Sequence, residues 1–314
     1  MKAIVKKLPS VLCGIATVCA IVLFLAFPAR YTKCVWEGVS LWAISVLPAT
    51  FPFLFLTALF RRQAIYPRLA KAVSPVAGKV FRVSGQGGCA AFLSAISGYP
   101  VGARTVLDLF ERGEIGREES FRLACLCSTS GPMFLVGAVG VRMMKSAALG
   151  WLMLAAHFLS VWTVCFFLRF TAKEPPKKTL FVAADQGTLY DDLYSSVLSV
   201  LCVGGAIAVF NAFGQMLADA GALAGINPHL SAVLRGLLEM TAGCASLAAD
   251  PSPLSVATCC FFVTFGGACV LVQQCVFLTR AGVKTLPFLG VKLLQGLLSF
   301  GICYSFCLAA GVSV

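Results

Sequence analysis

Long apolar runs separated by short polar segments dominate the pattern of this chain. A helix needs roughly 20 apolar residues to cross the hydrocarbon core of a bilayer. The predicted spans are 11–29, 35–60, 122–141, 146–168, 193–218, 253–279 and 286–312. Glu37, Arg122 and Lys292 are the only charged residues inside these limits, and each lies near the end of its run. The pattern predicts an all-α polytopic membrane protein with about seven transmembrane helices.

Two further apolar segments, 83–103 and 230–249, are too short or too interrupted to span a bilayer. Each has small and polar residues at its centre: Ser94, Ser97, Gly98 and Pro100 in the first segment, and Glu239, Thr241 and Gly243 in the second. Irregular backbone at membrane depth is tolerated only where protein or a water-filled cavity surrounds it. We therefore predict two re-entrant helical hairpins.

Basic residues are distributed unevenly along this predicted topology. With the N-terminus in the cytoplasm and both short segments re-entrant, 20 of the 25 Lys and Arg residues lie on the cytoplasmic side. Cytoplasmic loops of membrane proteins carry such an excess. The net charge of +12 is therefore interpreted as a topology signal and not as a nucleic-acid-binding surface. The first run follows three lysines and is interpreted as an uncleaved anchor, with a signal peptide as the alternative.

The order span, hairpin, span, span occurs twice, in opposite orientations. The predicted divisions are an N-terminal anchor (1–34), a first repeat (35–170), a polar cytoplasmic linker (171–192) and a second repeat (193–314). Short stretches support the pairing: 93–98 aligns with 238–243, and 129–131 aligns with 264–266. Inverted repeats with interrupted segments are typical of secondary transporters, whose substrate site lies near the midplane.

Gly/Pro breaks inside apolar segments mark the candidate site. Proline lacks a backbone donor and restricts the residue before it, so Gly98-Tyr99-Pro100 and 128–132 interrupt helices. Half-helix N-termini carry partial positive charge and favour an anion. The predicted substrate-binding residues are Ser94, Ser97, Gly98, Tyr99, Ser128, Thr129, Ser130, Gly131, Asn211, Glu239, Thr241, Gly243, Thr264 and Gly266. No Arg or Lys is expected deep in any span.

Other polar residues leave alternatives open. Glu239 is predicted to couple transport to H⁺ or Na⁺, because an intramembrane carboxylate is costly and usually functional; a surface pair with Arg235 is the alternative. His157 is interpreted as a buried histidine bonded to a backbone carbonyl, with a proton relay as the alternative. Gln215, Gln273 and Gln274 are expected to bond between helices, with Gln273 also a candidate for the cavity lining together with Asn211. The charged segment 108–122 is expected to be a solvated cytoplasmic helix-turn.

Composition agrees with the membrane interpretation. The chain is 59% hydrophobic and 12% charged, which excludes an ordinary cytosolic enzyme, a disordered protein and a secreted disulfide scaffold. The fifteen cysteines lie mostly in apolar runs without zinc-site spacing, and we interpret them as reduced. No cofactor or metal is expected.

Three motifs resemble a known family. The sequences SGYPVGA (97–103), STSGP (128–132) and LLEMTAG (237–243) resemble sporulation integral membrane proteins of the YlbJ (SpoVV) type, among the nucleoside-recognition (Gate) domain proteins related to concentrative nucleoside transporters. The resemblance covers the chain from about residue 35. It implies transport of dipicolinate toward the forespore, with substrate held between two hairpin tips and two unwound helices. The first hairpin lacks the Gln-Thr-Glu cluster of nucleoside transporters.

We therefore predict a non-enzymatic secondary transporter of a small planar anion, most simply dipicolinate. The alternatives are a nucleoside or nucleobase transporter, a membrane scaffold for spore assembly, and an intramembrane hydrolase using Ser97 and His157. The expected partners are the lipid bilayer and the anion; a homo-oligomer is left open. The expected location is the cell membrane or the outer forespore membrane.

Overall fold

A computed structural model describes residues 2–173, 187–222 and 225–312, and every regular element in these ranges is helical. The first half contains α1 (Lys2–Ala26), α2 (Pro28–Leu41), a π-helix (Trp42–Val46), α3 (Leu47–Arg62), α4 (Ile65–Phe81), α5 (Gly85–Ser97), α6 (Tyr99–Glu111), α7 (Arg117–Cys127), a second π-helix (Met133–Met143), α8 (Ala147–Leu168) and a 3-10 turn (Arg169–Thr171). The second half contains α9 (Leu189–Leu217), a third π-helix (Ala218–Ala222), α10 (Pro228–Leu238), α11 (Met240–Leu247), α12 (Pro253–Phe265), α13 (Gly267–Leu278) and α14 (Thr285–Ala309).

Five helical stretches of the described residues are long and apolar enough to cross a membrane. They are Pro28–Arg62, Ala147–Thr171, Leu189–Gly221, Pro253–Leu278 and Thr285–Ala309. The apolar stretches Gly14–Ala26 and Met133–Met143 are shorter. An all-helical, multi-pass membrane protein is thus confirmed, while the number of spans, the re-entry of the hairpins and the division into repeats stay predictions.

Helix α4 lies between the predicted span 35–60 and the predicted hairpin 83–103. The hydrophobic pattern assigned no helix to this stretch. Helix α5 lies close against it, because two glycines of α5 let the backbones approach. A Cβ at Gly85 would lie 2.5 Å from the carbonyl oxygen of Ala70, and one at Gly88 would lie 2.6 Å from Cβ of Ala77. The first interrupted segment therefore rests on a helical support.

The charged segment 108–122 forms the predicted helix-turn, but it is only partly solvated: Glu111, Arg112, Arg117 and Glu118 are exposed, whereas three other charged side chains are not. Glu114, Glu119 and Arg122 are buried, and burial raises the pKa of the Glu114 carboxyl. The backbone N–H of Ser84 donates to Oε1 of Glu119 at 2.6 Å, and Nη2 of Arg122 donates to the carbonyl oxygen of Arg82 at 3.1 Å. The acid and base are buried because they satisfy backbone groups where α4 passes into α5.

The linker predicted at 171–192 falls mostly on residues 174–186, which lie outside the described residues. Its end is ordered by a capping box at the start of α9. The backbone N–H of Thr188 donates to Oδ2 of Asp191 at 2.6 Å, and the N–H of Asp191 donates back to Oγ1 of Thr188 at 3.3 Å. Helix α9 thus begins four residues before the predicted span at 193.

The two halves are joined along α2 and α9. A Cβ at Gly38 would lie 2.8 Å from Cα of Ala208, so the two backbones nearly touch. Nδ2 of Asn211 donates to the carbonyl oxygen of Cys34 at 2.8 Å. Helix α14 packs against α8 and α12. Buried residues of these three helices form part of the hydrophobic core.

Candidate functional site

Two helix breaks meet in the first half. Helices α5 and α6 are separated at Gly98, whose φ of +90° is accessible to glycine at low cost. Helix α7 and the following π-helix are separated at 128–132. A Cβ at Gly131 would lie 2.7 Å from the carbonyl oxygen of Ile96, and Oγ1 of Thr129 donates to the carbonyl oxygen of Ser94 at 3.2 Å. The second break therefore lies directly against the first.

Two breaks also meet in the second half. Helices α10 and α11 are separated at Glu239 and pack together so closely that a Cβ at Gly243 would lie 2.3 Å from Cα of Gly236. Helices α12 and α13 are separated at Gly266 and Gly267, both with positive φ. A Cβ at Gly267 would lie 3.0 Å from the carbonyl oxygen of Gly236. The sequence alignment pairs Gly98 with Gly243, whereas the breaks themselves pair Gly98 with Glu239.

Glu239 is fully buried and caps α11. The backbone N–H groups of Thr241 and Ala242 donate to its two carboxylate oxygens at 3.0 Å and 2.6 Å. A carboxylate at a helix N-terminus satisfies free N–H groups and interacts favourably with the helix dipole. The carboxylate is therefore held by α11, and the alternative of a surface pair with Arg235 does not describe this buried side chain.

His157 on α8 joins the broken span of one half to that of the other. The backbone N–H of Ser130 donates to Nε2 of His157 at 3.1 Å, so Nε2 carries no proton. Nδ1 then carries the proton and donates to Oγ1 of Thr264 at 2.9 Å. The expected bond to a backbone carbonyl is wrong, because the unwound stretch at Ser130 presents an N–H that needs an acceptor.

Lys292 on α14 is fully buried behind the first break. Its Nζ donates to the carbonyl oxygen of Ser128 at 2.7 Å and lies 5.4 Å from the ring centroid of Tyr99. Nε2 of Gln295, one turn later, donates to the carbonyl oxygen of Cys125 at 3.1 Å. Lys292 is therefore a buried residue and not one of the solvated basic residues among which the predicted topology placed it. Carbonyls freed by the break need buried donors, and these side chains supply them.

A cavity of about 390 Å³ lies where the breaks of the two halves meet. Seven of the predicted site residues line it: Ser97, Gly98, Tyr99, Ser130, Gly131, Glu239 and Thr241. The remaining seven are not in its lining: Ser94, Ser128, Thr129, Asn211, Gly243, Thr264 and Gly266. Asn211 is bonded to α2 instead, and the others belong to the backbone packing and hydrogen bonds around the breaks.

Gln274 supplies polar atoms without partners to this cavity. Its side chain is almost fully buried, at 2% exposure. Neither polar atom of its amide has a hydrogen-bond partner among the described residues. Buried polar groups are nearly always satisfied, so the amide is suited to bind a ligand. Thr241 is fully buried in the same lining. The interhelical hydrogen bond expected for Gln274 is absent among the described residues.

The serine hydroxyls are less available than their sequence suggests. Oγ of Ser97 donates to the carbonyl oxygen of Leu93 at 2.7 Å, and Oγ of Ser94 donates to that of Ala90 at 2.8 Å. The hydroxyl of Tyr99 donates to the carbonyl oxygen of Val263 across the two halves. In contrast, the first turn of α6 has no side-chain cap and faces the cavity at Gly98 and Tyr99. The free backbone N–H groups of such a turn suit an anionic ligand.

Comparison with known proteins gives one relative. The chain is 30% identical over 298 residues to the sporulation integral membrane protein YlbJ of Bacillus subtilis (strain 168), covering 82% of this chain and 73% of that protein. No protein-family model and no solved structure matches. The chain therefore belongs to the YlbJ-type family of sporulation integral membrane proteins.

Proposed function

We propose that this YlbJ-type membrane protein is a secondary transporter that carries a small planar anion, dipicolinate, toward the forespore. The observation that carries the proposal is the cavity at which helix breaks of both halves meet. It is lined by Gly98 and 130–131 of the first half, by Glu239 of the second half, and by α13, which begins after the fourth break. Broken helices at a midplane cavity are the arrangement that transporters use for their substrates. A scaffold protein has no need of such a cavity.

The lining of the cavity suits an aromatic acid. Its volume of about 390 Å³ lies in the range of small-molecule sites. Apolar side chains such as Val46, Phe134 and Ile207 would contact the faces of a ring. The uncapped first turn of α6 would receive a carboxylate, and the Gln274 amide would supply further hydrogen bonds.

Glu239 is proposed as the coupling residue. Its carboxylate lies in the cavity lining, where an ionised acid and an anionic substrate repel each other. Binding of H⁺ or Na⁺ at Glu239 would remove this repulsion and link loading of the anion to loading of the cation. The hydrogen bonds from the Thr241 and Ala242 N–H groups at the start of α11 would hold the carboxyl group in position with and without a bound cation.

Two alternatives differ in how well the contacts support them. A nucleoside or nucleobase would use the amide of Gln274 as both donor and acceptor, so the cavity also suits a neutral heterocycle. A hydrolase is disfavoured, because Oγ of Ser97 bonds to Leu93 while the ring nitrogens of His157 are engaged by Ser130 and Thr264. A nucleophile and its base must be within hydrogen-bond reach of each other.

Uptake by purified protein in liposomes tests the proposal. Labelled dipicolinate and labelled uridine are compared, each with and without pH and sodium gradients. We expect saturable dipicolinate uptake that depends on one of the gradients. Uptake of uridine in preference to dipicolinate would replace the anion proposal with the nucleoside alternative.

Orientation is a separate proposal. The distribution of basic residues supports a cytoplasmic location for the N-terminus, the end of α3 and the start of α9. Single cysteines introduced on either side of 84–103 and labelled with an impermeant maleimide test it. Labelling of the two flanks from the same face agrees with a re-entrant segment, and labelling from opposite faces contradicts it.

A further inference from the structure

A second, polar cavity lies between the end of α3, helix α6 and the start of α9. Its volume is about 110 Å³. It shares Leu54, Arg104 and Ser199 with the large cavity, so the two spaces are neighbours. By the proposed orientation, it lies on the cytoplasmic side of the large cavity.

Three arginines and two aspartates line this polar cavity. Nη2 of Arg61 lies 3.6 Å from Oδ2 of Asp108, and Nε of Arg62 lies 2.5 Å from Oδ2 of Asp192. Arg104 has no acidic partner in the described part of the chain. The surplus positive charge of the cavity therefore belongs to Arg104.

The position of Arg104 concentrates this charge at the junction of the two cavities. It lies on α6 six residues after the break at Gly98, and α6 directs its uncapped N-terminal end to the large cavity. A guanidinium is always charged and presents a planar fork that matches a carboxylate. An anion passing between the cavities would thus meet the side chain first and the helix N-terminus second.

The two ion pairs define the walls of this passage. Arg61–Asp108 joins α3 to α6, and Arg62–Asp192 joins α3 to α9. The hydroxyls that line the α9 side are engaged as well: Ser196 donates to the carbonyl oxygen of Asp192 at 2.7 Å. Arg61 and Arg62 are therefore held by acids, whereas Arg104 is available to a ligand.

We propose that the polar cavity is a vestibule that admits carboxylates, in which Arg104 binds a carboxylate of the substrate before its ring enters the large cavity. This inference rests on the proposed function, because it names the residue that selects an anion at that site. Arg61 and Arg62 shape the vestibule through their ion pairs and do not bind the substrate.

Dipicolinate uptake by the R104Q, R104K and wild-type proteins tests the role of Arg104. Loss of a charge-assisted hydrogen bond should raise KM about tenfold in R104Q, with the maximal rate changed less than twofold. R104K keeps the charge and should be intermediate. The control is R280Q, because Arg280 forms an exposed pair with Glu111 and lines neither cavity. An unchanged KM in R104Q would overturn the inference while leaving transport itself established.

A charge-selective labelling experiment tests the vestibule independently of any substrate. Ser199 is replaced by cysteine in a background in which Cys19 and Cys202, both exposed, are replaced by serine. The anionic sulfonatoethyl methanethiosulfonate should react faster than the cationic trimethylammonium reagent, and R104Q should abolish the preference. An unchanged rate ratio would contradict the vestibule. An Arg104-dependent preference in a protein that carries no dipicolinate would support it and refute the proposed function.

Discussion

Nε2 of His157 accepts a hydrogen bond from the backbone N–H of Ser130 at 3.1 Å, inside a segment where the helix is interrupted. The same ring donates to Thr264 next to the break in the other half. One side chain thus satisfies polar groups at both interrupted spans, and the two breaks depend on a shared residue.

His157→Ala should destabilise the protein strongly. It leaves the Ser130 N–H and the Thr264 hydroxyl unpaired in a fully buried place, at a cost of about 2–4 kcal/mol. Thermal unfolding in detergent measures the effect, with His229→Ala, at the first turn of α10, as the control. Equal melting temperatures for the two variants would show that the bridge carries little energy.

Gly243→Ala should be more harmful than the same substitution at a helical glycine with open space around it. The added Cβ would lie 2.3 Å from Cα of Gly236, so α10 and α11 must separate, at about 1–3 kcal/mol. Gly301→Ala is the matched control, because a Cβ there meets nothing within 4 Å and alanine favours a helix. We expect Gly301→Ala to melt at or above the wild-type temperature and Gly243→Ala well below it.

Gln274→Leu should change stability and substrate binding in opposite directions. It removes a buried amide that has no partner in the described chain, so the empty protein should gain about 1 kcal/mol. It also removes hydrogen bonds to the ligand, so affinity should fall roughly tenfold. Melting temperature and equilibrium binding of labelled dipicolinate are measured together, with Gln63→Leu as the control. A loss of stability together with unchanged binding would place the amide outside the site.

Glu239→Gln should keep the fold but lose coupling. One amide oxygen still caps α11, but the second backbone N–H loses its acceptor, so the cost in stability should be about 1–3 kcal/mol. The neutral side chain no longer binds H⁺ or Na⁺ as a charge, so uptake should become independent of the gradient that drives the wild-type protein. Glu111→Gln, at a surface pair, is the control. Retention of the wild-type ion dependence would rule out Glu239 as the coupling residue.

The helices and their interruptions were predictable from the sequence, because apolar runs and Gly/Pro positions are local signals. The breaks at Gly98 and at 128–132, and an interruption within 230–249, are visible in the pattern. The support helix α4 was not predicted, because its apolar residues are mixed with basic ones that resemble a loop.

The roles of individual polar residues were less predictable. Lys292 and Gln295 lie on one face of α14, and that spacing alone was a usable signal. Which carbonyls they reach, however, depends on α7, about 165 residues earlier in the chain. Nothing in the sequence singles out Arg104, because no local pattern separates an arginine beside a cavity from one in water.

The close packing of α2 on α9 has a consequence for biogenesis. The carbonyl oxygen of Cys34 and the small surface at Gly38 contact residues near 208–211. During synthesis, the segment between these positions is made before α9, so α2 enters the bilayer without this neighbour. A nascent chain arrested before α9 would therefore leave this face of α2 uncovered, where the insertion machinery and membrane proteases can bind it.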